Sequence, residues 1–133
     1  MSSLEKIGLS RQAFSISQKI TEVDEWMHSQ QQDRVKEVHP ELSFLELNKR
    51  VALMHGKKKK TGFDQRRELL NTAGFDTLIG SSLQQRPAGV GLDDAPDACV
   101  ACWTAERILS GFGVCVPESP TRDHKHLRVE IWR

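Results

Sequence analysis
Hydrophobic positions first become periodic at Ile16, Ile20, Val23 and Met27, whose spacings of four, three and four residues place them on one face of a helix. Ser15 and Gln18 stand at capping-box spacing, so the pattern predicts a helix over about 16–29. The polar run 30–33 reads as a turn. Residues 34–39 hold two valines and stop before Pro40, which predicts a short strand. Leu42, Phe44, Leu45 and Leu47 resume a helical period behind Pro40, a residue tolerated in a first helical turn, and predict a second helix over 40–52. The lysine-rich stretch 56–62 reads as an exposed loop, because burying it carries a heavy desolvation cost. A third helix follows over 63–72, with Gly74 as its stop. Ser, Gln, Pro and Gly dominate 80–91, which reads as a loop.

The last helix is predicted to begin at Asp93 or Asp94, either of which can cap it. Ala98, Cys102, Ala105 and Leu109 form a narrow stripe of mostly small residues along it, the natural face for packing against a sheet. Gly111 and Gly113 end that helix, Pro117 and Pro120 lie in a connector, and alternation over 127–132 predicts a terminal strand. No repeat, heptad or low-complexity tail interrupts the series.

At 133 residues the chain suits a single small α/β domain. With 38% hydrophobic and 28% charged residues it reads as globular, which excludes disorder throughout. No apolar run approaches the roughly 20 residues that cross a bilayer, and 1–9 lacks the build of a signal peptide. The expectation is a soluble cytoplasmic protein with no membrane partner. Three cysteines, Cys99, Cys102 and Cys115, do not form a disulfide framework and fit a reducing compartment. Lysine and arginine number 19 against 18 aspartate and glutamate, so overall charge demands no nucleic acid and any such signal must be local.

Three local features carry candidate chemistry. Asp93, Asp94 and Asp97 crowd the start of the last helix, with Asp97 one turn in on the same face. Capping and a favourable helix dipole account for one or two of them; the third leaves open a hard-cation site, since Mg²⁺ is held by one or two carboxylates. Glu37 and His39 share one side of the predicted strand near its C-terminal end, where open α/β sheets place ligands; a solvated strand end is the alternative. Lys49, Arg50, Lys57, Lys58, Lys59, Lys60, Arg66 and Arg67 make 49–67 strongly basic, with Asp64 its only acid. That density is either a solvated loop or a phosphate-backbone contact. No aromatic stacking platform accompanies it. The Cys99–Cys102 pair lacks further zinc ligands and reads as buried small hydrophobes.

Four motifs, taken in order, resemble a known family. They are Glu37-Val38-His39-Pro40-Glu41-Leu42-Ser43-Phe44; Lys60-Thr61-Gly62 with Arg66-Arg67-Glu68-Leu69-Leu70; Asp93-Asp94 with Asp97-Ala98 and Trp103-Thr104-Ala105; and Ile131-Trp132. Together they are similar to the bacterial domain of unknown function 429, regarded as a predicted nuclease with an RNase H-like fold, over about residue 9 to the end. The resemblance implies a mixed sheet flanked by helices, and carboxylates that bind Mg²⁺ or Mn²⁺ for phosphodiester hydrolysis. On that basis Glu37, Asp93, Asp94 and Asp97 are the catalytic acids, with Glu37, Asp94 and Asp97 on metal. Lys60, Arg66 and Arg67 are then candidates for phosphate contact, joined on the charge density by Lys57, Lys58 and Lys59 as nucleic-acid-binding residues, and His39 and Glu41 belong to the motif without a role.

The resemblance also implies N-terminal strands with a first catalytic Asp, whereas nothing before Arg34 reads as a strand. The expectation is a partial domain with an open sheet edge and an exposed apolar face. A truncated gene product, a misplaced start codon and half of an assembly completed by a second chain all fit, and truncation is preferred. Three functions follow: a metal-dependent nuclease, a catalytically inactive fragment or binding module, and an enzyme acting on phosphorylated small molecules. On the metal-site reading, Asp97→Asn is expected to abolish metal binding and to leave stability unchanged or raised, as crowded like charges are relieved.

Overall fold
The computed structural model describes residues 10–57, 59–77, 79–80 and 87–133. Among these, four α-helices accompany a small antiparallel sheet: α1 (Arg11–Trp26), α2 (Pro40–Leu47), α3 (Lys60–Thr72), α4 (Asp94–Leu109), β1 (Cys115–Val116) and β2 (Ile131–Trp132). A 3-10 turn at Gln31–Asp33 follows α1. Cys115 pairs with Trp132 and Val116 with Ile131. The chain is therefore mixed α/β, with helices supplying most of its regular structure.

The core lies where α2, α3 and α4 meet. Phe44, Leu70, Phe75, Ile79 and Val100 form it, and Leu47, Leu53, Leu69, Trp103 and Cys99 pack around them. α4 contributes Pro96, Val100 and Thr104, spaced by four residues along one face. Thr104 is tolerated there because its hydroxyl is within hydrogen-bond distance of both Ser43 Oγ (2.8 Å) and Val100 O (3.0 Å), so the buried hydroxyl is itself paired. α3 buries Gly62, Arg66 and Leu70, again at intervals of four.

Several expectations are corrected. The stripe Ala98, Cys102, Ala105 and Leu109 faces outward, Leu109 being 89% exposed, and α4 packs on α2 and α3 instead of on a sheet. Cys99 is half-buried beside the core, but Cys102 is exposed; all three cysteines are free thiols. The first helix begins at Arg11, so Ser15 lies inside it and is not its N-cap, and Gln18 bonds Glu22 (3.1 Å). Its face of Ile16, Ile20 and Val23 remains about half exposed. The expected strand 34–39 is reduced to one parallel bridge between Val38 and Trp132, with the Trp132 amide donating to Glu37 O (2.8 Å).

The second helix stops at Leu47, five residues early. Lys49 and Arg50 turn into the left-handed region (φ 54° and 65°), and the Arg50 amide returns to Leu45 O (2.7 Å), closing the helix end. The third helix starts at Lys60 and ends at Thr72, with Gly74 at φ 89°, as its stop signal requires. The terminal strand is confined to two residues. Residues 81–86 of the expected loop 80–91, and Lys58, lie outside the described residues.

Candidate functional site
The start of α4 and the loop before α3 meet at one cation. Lys57 Nζ lies 2.8 Å from Asp97 Oδ2 and 3.2 Å from Asp93 Oδ2, so two carboxylates one helical turn apart converge on a single ammonium. Asp93 is the residue before α4, and the amide of Asp97 closes the first turn onto Asp93 O (3.1 Å), which brings the two acids to the same side. The hydrogen bond to Asp97, reinforced by Asp93, holds the Lys57 ammonium above the usual lysine range, against the partial burial that works to lower it. Asp97 Oδ1 is buried and has no hydrogen-bond partner.

Asp94 plays a different part. Its Oδ2 accepts from the Gly91 amide (2.6 Å), fastening the turn that leads into α4. Neither Asp93 nor Asp94 caps the helix through its side chain in the way the sequence predicts; Asp93 is the N-cap residue, but its carboxylate is turned to Lys57.

Arg66 delivers Lys57 to this position. Its side chain is only 4% exposed; Nη1 donates to His55 O (3.1 Å) and Gly62 O (3.0 Å), and Nη2 donates to both oxygens of Glu41 (2.9 and 2.7 Å). The buried guanidinium thus pins the backbone beside Lys57 to α2 and α3. Glu41, Arg66, His55 and Lys57 line one wall of a cleft of about 480 Å³.

The remaining predicted residues do not gather here. Glu37 lines a second cleft, of about 600 Å³, between α1 and the C-terminal segment. His39 is the exposed N-cap of α2 and works through its backbone oxygen, which accepts from Leu42 (2.9 Å) and Ser43 (3.0 Å). Lys59 and Lys60 are exposed at the start of α3, and Arg67 is exposed beside Asp64 (3.6 Å). Three cations of the basic stretch are therefore paired with carboxylates, Lys57 with Asp93 and Asp97, Arg66 with Glu41 and Arg67 with Asp64.

Among the described residues, no group of three or more His, Cys, Asp or Glu side chains is arranged to hold a metal ion. The pair Asp93 and Asp97 nevertheless fits one hard cation in donor chemistry. Two carboxylates already share a cation, and an unpartnered buried oxygen is left over. Sequence reasoning missed Arg66 as a structural residue, although its place in the series Gly62, Arg66, Leu70 signals a buried face.

These features define a mixed α/β protein with a carboxylate pair at a helix start, and among the described residues no helix is long and apolar enough to cross a membrane. The chain belongs to the family described as Protein of unknown function (DUF429), whose family model matches residues 2–122. No curated protein and no solved structure matches it.

Proposed function
We propose that this chain is a cytoplasmic, RNase H-like member of its family that hydrolyses phosphodiesters with Mg²⁺ or Mn²⁺. The observation that supports this reading is the convergence of Asp93 and Asp97 on one cation. When bound, a divalent metal supplies Lewis acidity and an activated water. Asp93 and Asp97 would hold it. Asp94 orders the approach to α4 through Gly91, and Arg66 positions the loop that carries Lys57. Lys59 and Lys60, exposed and without an ion pair among the described residues, face solvent where a polynucleotide can reach them. Glu37 lies in the other cleft and is not assigned to the metal. The partners on this reading are a polynucleotide and a second chain whose strands extend the two-stranded sheet.

The test is calorimetric titration of the folded chain with Mn²⁺, beside nuclease assays on DNA and RNA. Saturable binding that Asp97→Asn abolishes is expected. Because Asp97 shares Lys57, the substitution also removes an ion pair, so a loss of up to about 1 kcal/mol replaces the unchanged or raised stability expected from sequence. A parent that binds no metal, or an Asp97→Asn chain that binds as the parent does, overturns the assignment.

A further inference from the structure
Three arginines from separate parts of the fold share one carboxylate. Glu46 of α2 has Arg50 Nε at 3.3 Å from the following turn, Arg107 Nη2 at 3.5 Å from α4 and Arg133 Nε at 3.8 Å from beyond β2. Among the described residues no second carboxylate pairs with any of the three, so the cluster keeps an excess of positive charge. The contacts are also long. A tight charge-assisted bond measures about 2.7–2.9 Å, the geometry Arg66 makes with Glu41 and these three do not.

Much of the donor capacity is left over. Arg107 Nη2 donates to Phe112 O (2.7 Å) and Arg50 Nε to Glu46, but Arg50 Nη1 and Nη2, Arg107 Nη1, and Arg133 Nη1 and Nη2 have no acceptor among the described residues. The Arg107 side chain lies over the Trp103 ring (4.8 Å to its centre), and the backbone of Arg133 is fixed by reciprocal bonds with Val114 (2.8 and 2.9 Å). Arg50, with a side chain 64% exposed, is free to close on a ligand. Planar guanidinium forks with unused N–H groups match the oxygens of a phosphoryl group.

We propose that Arg50, Arg107 and Arg133 form a phosphoryl-binding site with Glu46 at its floor. This site does not depend on the metal reading, and of the basic stretch singled out in the sequence it takes only Arg50, which it joins to two arginines distant along the chain. The ligand chemistry is a phosphate oxyanion, either a free or terminal phosphoryl group or the diester backbone of a nucleic acid.

The experiment titrates the full chain, in chelator and without divalent metal, with inorganic pyrophosphate in one arm. An oligodeoxynucleotide lacking terminal phosphates is used in the other. Calorimetry reads binding, and tryptophan fluorescence follows it through the summed signal of Trp26, Trp132 and the Trp103 ring beneath Arg107. Saturable binding is expected in at least one arm, and the stronger arm identifies the source of the phosphate. Arg50→Gln/Arg133→Gln should weaken it at least about tenfold, while Lys19→Gln, at an exposed position on α1, leaves it unchanged. Arg107 stays intact because it closes the end of α4 through Phe112. Arg50→Gln alone, at an exposed position, should weaken binding in the same direction and provides the test should the double variant fail to fold. Absence of saturable binding in both arms, parent-like affinity in a folded arginine variant, or equal loss in the lysine variant overturns the proposal. None of these results bears on the Mn²⁺ titration.

Discussion

Replacing Gly62 by alanine should destabilise this protein, although the same change in an ordinary helix interior is worth about 1 kcal/mol in the opposite direction. Gly62 is the third residue of α3 and is buried. A Cβ there would overlap the carbonyl oxygen of Gly56, and it would lie 2.8 Å from the Gly56 carbonyl carbon and 2.9 Å from His55 O. All three are backbone atoms, so no side chain can rotate away. The segment is held on both sides: the Lys59 amide donates to Gly56 O (3.0 Å) and Arg66 Nη1 donates to His55 O (3.1 Å).

Overpacking a fixed site costs about 1–3 kcal/mol, and contacts this close to backbone call for the upper end. Against a propensity gain of about 1 kcal/mol, the net loss is about 2 kcal/mol. With a urea m-value of about 1.5 kcal/mol/M, the unfolding midpoint should fall by about 1.3 M. Equilibrium unfolding followed by circular dichroism and tryptophan fluorescence measures this. Gly56→Ala is the control: a Cβ there meets nothing within 4 Å, so its stability should change by no more than about 0.5 kcal/mol and its midpoint by about 0.3 M. A Gly62→Ala midpoint equal to or above that of the parent would refute the close approach of the 55–57 loop to α3.

Two further outcomes follow from the same packing. Arg66→Met removes a buried guanidinium bonded to two carbonyls and Glu41, and should cost about 3–5 kcal/mol in urea unfolding. Glu41→Gln should cost less, about 1–2 kcal/mol, because Glu41 is 43% exposed; the reverse order would show that the carbonyl contacts contribute little. On α4, Val100→Ala should cost about 2 kcal/mol, whereas Leu109→Gln and Cys102→Ser should stay within about 0.5 kcal/mol in thermal melts. Equal losses at Val100 and Leu109 would mean that the buried face of α4 is misplaced.

By itself the sequence determined where helices lie and several of their stops, because periodicity and turn chemistry act over a few residues. The 40s helix behind Pro40, the α3 stop at Gly74 and the end of α4 near Gly111 are all local statements of this kind. Which face each helix buries was decided only in three dimensions. α4 reads as if its small residues pack inward, yet Pro96, Val100 and Thr104 do, because Ser43 on α2 supplies the partner that makes a buried hydroxyl acceptable. Strand length was likewise beyond the sequence, since a ladder needs a neighbour of matching extent and Val38 meets Trp132 at only one bridge.

The candidate site divides in the same way. Three aspartates at a helix start are legible as a charge cluster, but their separate roles are not: Asp93 and Asp97 share Lys57, while Asp94 holds Gly91. Arg66 counts as one more positive charge in a basic stretch until the fold buries it between α2 and α3 and pairs it with Glu41. The arginines around Glu46 come from positions 50, 107 and 133 and form no motif along the chain. Charge is a property of a residue and can be read in order; the partner that neutralises it, or leaves it unmatched, is a property of distance, and only tertiary structure sets distance.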